Sequence, residues 1–225
     1  TRWKWNPNKI TGFIPDIVRI LKRYSLWGYL DNYLQTGNFP SKLEWKGIVV
    51  QTLNKVENDE WEEKIFRYDQ LWLYKHVIKE LAPNMWLRYG LNNTEMADNV
   101  SLIVKVLCGS FYVNSERFSG QDKVFHCKSC GNYYNNPIKH AMLHCCETQL
   151  EREEFWQRVS DNLPVEFLVE LNFLDEDAFL YTIFGNTETL QEYCHGNMEF
   201  FYIAAAEFIA QTIKTTSYIN IFSNV

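Results

Sequence analysis

The amino-acid sequence predicts a mainly α-helical protein, in which a helical domain contains a small embedded cysteine-rich module and is followed by a C-terminal helical segment. Three observations support this fold class. Apolar residues recur at helical spacing in several stretches, signals for helix starts and stops flank those stretches, and no long alternating strand pattern is present. With 225 residues, of which 46% are hydrophobic, the chain is long enough to form a core without disulfide bonds.

The first half of the chain contains a series of helix signals. Pro15 suits a first helical turn and precedes Ile17, Val18, Ile20 and Leu21 at helical spacing. A second amphipathic stretch runs from Leu26 to Leu34 and stops at Gly37. Ser41 and Glu44 form a capping-box pattern that predicts a helix of about fifteen residues, and Asn58 is expected to cap the helix after it.

Further helices are predicted on both sides of the cysteine cluster. The stretch from Glu95 to Leu107 has a helical pattern that ends at Gly109, and Glu147 to Val159 forms a charged amphipathic pattern. Asp175 is expected to cap another helix that Gly185 ends. A last long helix is predicted from about Thr189 to Thr212.

The net charge of −6 conceals a division of the chain. Residues 1–146 have 19 Lys and Arg against 14 Asp and Glu, a net +5, whereas residues 147–225 have 3 against 14, a net −11. The sign changes just after the cysteine cluster. We therefore predict a helical region at 1–110, a cysteine- and histidine-containing module at 111–146 and an acidic helical region at 147–225.

The module contains the spacing C-x2-C-x9-H-x4-C. Two thiols separated by two residues can present both sulfurs to one ion, and Asn136-Pro137 predicts a short helix from which His140 projects. Three thiolates and one imidazole suit a closed tetrahedral zinc site, which leaves no position for a substrate. The predicted ligands of this structural Zn²⁺ are Cys127, Cys130, His140 and Cys145. The spacing leaves open whether His144 replaces His140 and whether Cys146 replaces Cys145.

The residues around this cluster resemble the C-terminal region of reverse transcriptases from LINE-type (non-long-terminal-repeat) retrotransposons. In that family a C-x2-C pair, a short loop and H-x4-C form a zinc-binding motif. The segment Arg117-Phe118-Ser119-Gly120 before the cluster and the residues Arg152 and Phe155-Trp156 after it fit the same pattern. Upstream, residues 37–46 are similar to the helical linker that follows the polymerase thumb.

The resemblance implies a non-catalytic region downstream of a polymerase that helps to hold template RNA or target DNA through residues 1–146. The chain does not begin with Met, so we expect it to be a fragment with sequence missing upstream. By the resemblance, an upstream polymerase domain of the same chain is a candidate partner, and whether the chain belongs to a larger polymerase or stands alone is left open. No polymerase or nuclease motif is found. The nearest polymerase-like segment, Tyr29-Leu30-Asp31-Asn32, lacks the second acid that paired magnesium ions need. We therefore expect that the chain is not an enzyme and has no catalytic residues.

Nucleic-acid binding requires cations for phosphates and aromatic rings for unpaired bases. The predicted phosphate contacts are Arg117, Lys123, Lys128 and Lys139, and the predicted stacking residues are Tyr133 and Tyr134. An alternative interpretation of the two tyrosines is packing over the metal module. The acidic C-terminal region supports a second function, a zinc-stabilised protein-interaction module in a host protein derived from such an element, because it repels phosphate.

The sequence also bears on location. The first residues lack an apolar run, no stretch reaches the length of about 20 apolar residues that a membrane span needs, and a cluster of reduced thiols is typical of proteins inside the cell. We expect no membrane association and a location in the nucleus, the cytoplasm or both.

Overall fold

The computed structural model describes residues 12–79, 85–120, 124–188, 190–193, 196 and 198–221. Within these ranges the chain forms eleven α-helices and five short β-strands, which confirms the predicted mainly α class. Two compact units are separated between Lys64 and Ile65. The boundaries predicted near residues 110 and 146 stay a prediction.

The first unit consists of α1 (Phe13–Arg23), α2 (Trp27–Thr36) and most of α3 (Lys42–Phe66). Gly37 ends α2 in the left-handed conformation, with φ of 74°. The capping box at the start of α3 is present, because the Ser41 N–H donates to the Glu44 carboxylate at 2.9 Å and the Glu44 N–H donates to Ser41 Oγ at 3.3 Å.

The predicted break at Asn58 is wrong, because α3 is a continuous helix of 25 residues from Lys42 to Phe66. Asn58 is flanked by Glu57 and Asp59, and no glycine or proline occurs from Ile48 to Phe66. The preference of asparagine for a cap is weak compared with the cooperative extension of a helix that has already formed.

Polar and aromatic contacts join the helices of the first unit. Arg23 donates two hydrogen bonds to the Glu60 carboxylate, at 3.0 and 3.1 Å, and the Tyr24 hydroxyl donates to Glu57 at 2.7 Å. The rings of Phe39 and Trp45 are 4.9 Å apart between centroids. These contacts connect α1 and the segment after α2 to α3.

Among the described residues the second unit contains eight further helices, of which three were not predicted. They are α4 (Trp72–Val77), α5 (Met85–Asn92), α6 (Ala97–Leu107), α7 (Pro137–Lys139), α8 (Gln149–Asn162), α9 (Val165–Phe173), α10 (Glu176–Ile183) and α11 (Met198–Thr215). The three additional helices are α4, α5 and α9. The predicted caps of α10 are observed, because Asp175 accepts from the Ala178 N–H at 2.8 Å and Gly185 follows the helix with φ of 119°. The last helix begins at Met198, and Thr189 lies outside the described residues.

The core of the second unit is built around α11. This helix packs against α6 and α8, and Ala205 and Ala206 on it are fully buried, so the neighbouring backbones can approach closely. Trp86 of α5 is also fully buried, and its indole N–H donates to the Phe184 carbonyl at 2.6 Å. This bond connects α5 to the end of α10.

Two small antiparallel sheets complete the second unit. In the first, β1 (Phe111–Val113) pairs with β2 (Glu116–Arg117) and with β5 (Ile219–Ile221). The second is a hairpin of β3 (Phe125–Cys127) and β4 (Asn132–Tyr134), in which His126 lies opposite Tyr133. In the part of the chain that the structure describes, no strand has more than three residues, which is too short to produce an alternating sequence pattern.

None of the helices in the described ranges combines the length and the apolar character that a membrane crossing requires.

Candidate metal centre

The first pair of cysteines is positioned by the β3–β4 hairpin. Cys127 is the last residue of β3, and Cys130 lies in the turn that follows. The turn closes when the Gly131 N–H donates to the Cys127 carbonyl at 2.9 Å. Gly131 has φ of 70°, a conformation that glycine adopts without the steric cost of a Cβ atom. The glycine after C-x2-C therefore allows both sulfurs to face the same side.

The second pair of ligands is positioned by a short helical segment. The Asn136 side chain accepts from the Lys139 N–H at 2.9 Å, and Pro137 occupies the first position of α7. The helix continues as a π-turn from His140 to His144, which the Cys145 N–H closes on the His140 carbonyl at 2.8 Å. As the sequence predicts, His140 projects from a short helix and Cys145 follows that helix.

The hairpin and the helix bring four side chains together. The ligand atoms of Cys127, Cys130, His140 and Cys145 all lie within 4.8 Å of one another. The Sγ atoms of Cys127 and Cys145 are 3.8 Å apart, and those of Cys130 and Cys145 are 4.0 Å apart. Sulfurs that bind one tetrahedral zinc ion at 2.3 Å are separated by about 3.8 Å. The group could therefore hold a metal ion such as zinc.

The environment of His140 fits a metal ligand. Its side chain is 1% exposed, and neither ring nitrogen has a hydrogen-bond partner among the described residues. A buried imidazole without a partner costs free energy, which a bound ion would recover. Burial, with smaller contributions from His144 and Arg152, lowers the His140 pKa to about 4. The ring is therefore neutral near pH 7, which is the form that binds metals.

The Cys145 side is held by α8. Burial raises the pKa of the Cys145 thiol to about 12, so this group becomes a thiolate only if a cation replaces its proton. The Cys145 carbonyl accepts hydrogen bonds from Thr148 Oγ1 at 3.2 Å and from the Arg152 guanidinium at 2.8 Å. Arg152 also donates to Thr148 Oγ1 at 2.8 Å. These bonds fix the direction in which Cys145 presents its sulfur, and neither Thr148 nor this role of Arg152 was predicted.

The structure places both alternative ligands outside the group of four. The His144 side chain is 42% exposed and faces Glu176, at 3.4 Å between Nε2 and Oε1. Cys146 is exposed, although its Sγ lies 3.6 Å from that of Cys130. The change of direction at Cys145, which has extended backbone angles, separates the buried Cys145 from the exposed Cys146.

Aromatic rings cover the histidine ligand. Tyr134 stacks on the His140 ring with centroids 3.6 Å apart and an interplanar angle of 22°. Phe125 and Tyr218 lie 5.8 and 5.9 Å from the same ring. Burial, followed by the neighbouring Cys145, raises the Tyr218 pKa, so its hydroxyl remains protonated. The centre is thus closed to solvent on the histidine side.

Glu147 connects the cysteine turn to the C-terminal end of the unit. Its carboxylate accepts from Ser129 Oγ, from the Ser217 N–H at 3.1 Å and from Ser217 Oγ at 2.8 Å. Burial acts to raise the pKa of Glu147, but these hydrogen bonds hold it below its ordinary value. The carboxylate therefore stays ionised, and the turn that contains Cys130 is joined to the residue before Tyr218.

The two predicted stacking residues have different surroundings. Tyr133 is 72% exposed, and its ring lies 4.8 Å from that of His126 on the outer face of the hairpin. Tyr134 points to the other face, where it packs on His140. Adjacent residues of a strand face opposite sides of a sheet, and because one side of this hairpin packs on His140, Tyr134 is covered while Tyr133 is exposed.

The predicted cations also differ. Lys128 is exposed at the start of the cysteine turn, and Arg117 is exposed on β2. Lys139 is 25% exposed and forms ion pairs with Glu176 at 3.0 Å and Asp177 at 2.9 Å. Burial acts to lower the Lys139 pKa, but these two carboxylates raise it. Lys123 lies outside the described residues.

A groove of about 160 Å³ lies between the β1–β2 hairpin and β3. Arg117 lines one side of it and His126 the other, and Asn114 joins the two hairpins by donating to the His126 carbonyl at 3.0 Å. The groove therefore extends from the Arg117 guanidinium to His126, whose ring lies 4.8 Å from that of Tyr133.

Comparison with protein-family models, curated proteins and solved structures returns no match to this chain. The resemblance to LINE-type reverse transcriptases therefore remains a prediction from the sequence, and what stands is a mostly helical protein with a Cys3His group that could hold a metal ion.

Proposed function

We propose that this chain is a non-catalytic nucleic-acid-binding region, in which a structural zinc ion holds the β3–β4 hairpin against the short helical segment that contains His140 and precedes Cys145. The observation that supports the zinc centre best is the convergence of four ligand atoms within 4.8 Å. All four positions of a tetrahedron are filled by protein, so no coordination site remains for a substrate. The metal therefore acts on structure, by fixing the hairpin whose outer face contains Tyr133.

The outer face of the hairpin suits a single-stranded nucleic acid. Tyr133 offers a ring that is 72% exposed, and base stacking on such rings contributes about 1–3 kcal/mol per base. Lys128 is exposed and has no ion-pair partner among the described residues, and Arg117 lines the adjoining groove. Lys139 and Tyr134 have no part in this face, since the former pairs with carboxylates and the latter covers His140.

Binding of a fluorescein-labelled 20-nucleotide RNA, measured by fluorescence anisotropy in about 50 mM salt, tests this function. Tyr133→Ala should weaken binding by about 5- to 150-fold, the range that corresponds to one stacked base. The matched control is Tyr68→Ala, which removes a tyrosine that is 55% exposed before α4. Equal affinities of the two variants, or no binding by the wild-type chain, would contradict the proposal.

The charge contribution can be measured separately. Lys128→Gln should reduce the slope of log affinity against log salt by about 0.7, the value for one phosphate contact on a single strand. Lys214→Gln removes an exposed lysine from α11 in the acidic region and should leave the slope unchanged. If both substitutions change the slope equally, binding is non-specific attraction and does not involve the hairpin face.

The second candidate function is that of a zinc-stabilised protein-interaction module. It is favoured by the apolar side chains of the first unit, among them Phe13 at 77% and Leu43 at 81% exposure. The pairing of Lys139 with Glu176 and Asp177 also removes a cation from phosphate binding. A chain that contains zinc and binds no RNA or DNA at low salt would support this function over the first.

A further inference from the structure

A fourth cysteine, Cys146, lies directly beside the three cysteines and one histidine of the candidate centre. The Sγ atom of Cys146 is 3.6 Å from that of Cys130, closer than the 4.0 Å between Cys130 and Cys145. The Cys146 N–H also points to Cys130 Sγ, at 3.5 Å. Cys146 is nevertheless not a member of the ligand group and is exposed to solvent. Cys146 therefore contacts the candidate centre without belonging to it.

Exposure within the group is uneven. Cys127 and Cys145 are both 0% exposed, whereas Cys130 is partly exposed and faces Cys146. A small oxidant in solvent therefore reaches Cys130 before it reaches the other two thiolate ligands. Reactivity toward peroxides follows thiolate character and exposure, and Cys130 combines both when it binds the ion.

We propose that Cys130 and Cys146 form a reversible oxidation site, at which hydrogen peroxide converts the pair into a disulfide and releases the metal. The inference rests on the proposed zinc centre for the release step, whereas the disulfide itself depends only on the two sulfurs being adjacent. Cys130 is the thiolate that reacts first, and Cys146 is the thiol that resolves the product.

The chemistry balances in two steps. The Cys130 thiolate attacks one peroxide oxygen, so that an S–O bond forms, the O–O bond breaks and hydroxide leaves, which a proton from solvent converts to water. The Cys146 sulfur then attacks the sulfenic acid sulfur, so that the S–S bond forms, the S–O bond breaks and the departing oxygen leaves as water with the thiol proton. Two sulfurs lose two electrons in total, and one peroxide becomes two water molecules.

Metal release follows from the loss of a ligand. A disulfide sulfur has no negative charge to donate, so the ion would keep only Cys127, His140 and Cys145. The 3.6 Å separation must shorten to about 2.05 Å, which a rotation of the exposed Cys146 side chain can supply. Reduction by a dithiol reverses the bond and restores the fourth ligand.

The test uses the full chain, reduced and loaded with zinc, to which hydrogen peroxide is added while a chromogenic chelator reports released zinc. Trypsin cleaves after Lys128, Lys139 and Arg152, so Cys130 and the Cys145–Cys146 pair fall in separate peptides. Mass spectrometry without reduction should detect these two peptides linked, with fragment ions that assign the bond to Cys146. Dithiothreitol with added zinc should return the protein to its starting metal content.

Cys146→Ser separates the outcomes. The variant should contain as much zinc as wild type before oxidation and should release it at least about fivefold more slowly, since Cys130 then lacks a resolving thiol. Cys108→Ser, at a cysteine outside the group, should behave as wild type. Equal release rates for Cys146→Ser and wild type, a bond assigned to Cys145, or zinc loss from Cys146→Ser without oxidant would each overturn the inference. A chain that lacks zinc but forms the Cys130–Cys146 bond would instead refute the zinc centre and support the oxidation site.

Discussion

His140 and His144 offer a direct test of the metal centre, because they are two histidines on the same helical turn and only His140 is buried. His140 is 1% exposed and neither of its ring nitrogens is hydrogen-bonded to a described residue, whereas His144 is 42% exposed and faces Glu176. We expect His140→Asn to lose most of the zinc affinity. His144→Asn should retain it, since His144 is not among the four ligands.

The magnitude follows from the number of ligands. Structural zinc sites have apparent binding free energies of about 10–16 kcal/mol near pH 7, so an equal share for each of four ligands is about 2.5–4 kcal/mol. Loss of that share lowers affinity by about 70- to 800-fold. The value is a lower bound for His140, because the asparagine side chain is shorter and leaves Tyr134 without the ring on which it stacks.

Zinc affinity can be measured by competition with a chromogenic chelator, and zinc content by elemental analysis of the purified chain. Wild type and His144→Asn should each contain one zinc per chain, and His140→Asn should lose it to the chelator at a much lower chelator concentration. If His144→Asn loses zinc and His140→Asn retains it, the ligand assignment is wrong. If neither changes the zinc content, histidine is not a ligand and the tetrahedral site is refuted.

Three further predictions concern stability. Gly131→Ala should lower the free energy of unfolding by about 1–2 kcal/mol, because Gly131 has a φ of 70°. Gly47 lies in the interior of α3 with open space around it, so Gly47→Ala should raise the free energy of unfolding by about 0.5–1 kcal/mol. A urea titration in which both substitutions change stability in the same direction would contradict this argument. Ser41→Ala removes the cap of α3 and should cost about 1 kcal/mol in the same assay, and an unchanged midpoint would show that this helix end does not depend on the cap. In the metal-free chain the pKa of His140 is about 4 in the folded state and about 6.5 in the unfolded state, so the unfolded state binds more protons between these pH values. The free energy of unfolding should therefore be highest above pH 6.5 and should fall toward pH 4 by at most about 1.4 kcal/mol per pH unit. His140→Asn should reduce this slope in a series of urea titrations at different pH values.

Local sequence signals account for much of the helical architecture. The capping box at Ser41, the stop at Gly37 and the cap at Asp175 each depend on hydrogen bonds or dihedral angles of neighbouring residues, and each is observed. Such features can be predicted because the residues that cause them are adjacent in the chain. The break expected at Asn58 was wrong, because the effect of a single residue was given more weight than the continuity of the helix around it.

Features that depend on distant residues were not predicted. The helix α5 is stabilised through Trp86, whose partner Phe184 is 98 residues away, and its own sequence includes Gly90, which disfavours helix. The pairing of Lys139 with Glu176 and Asp177 likewise joins segments that spacing cannot relate. A lysine that the sequence offers to phosphate can therefore be committed to a carboxylate in the fold.

The candidate centre combines local features that the sequence predicts with distant contacts that it does not. The C-x2-C-x9-H-x4-C spacing identified the segment, because a turn and a short helix are local. It left open the choice between His140 and His144 and between Cys145 and Cys146, because the direction of each side chain depends on what packs behind it. Thr148, Arg152 and Tyr218 provide that packing, and all three follow the motif in the sequence.

The pairing of β5 with β1 has a consequence for the order in which the chain folds. All four residues of the candidate centre lie between these two strands, and Tyr218, which covers His140, comes about 70 residues after Cys145. At a synthesis rate of roughly 5–20 residues per second, these four residues exist for about 4–15 s before this cover can be added. A metal ion such as zinc could therefore enter while the candidate site is still open from the histidine side, and closure of the sheet would then enclose it.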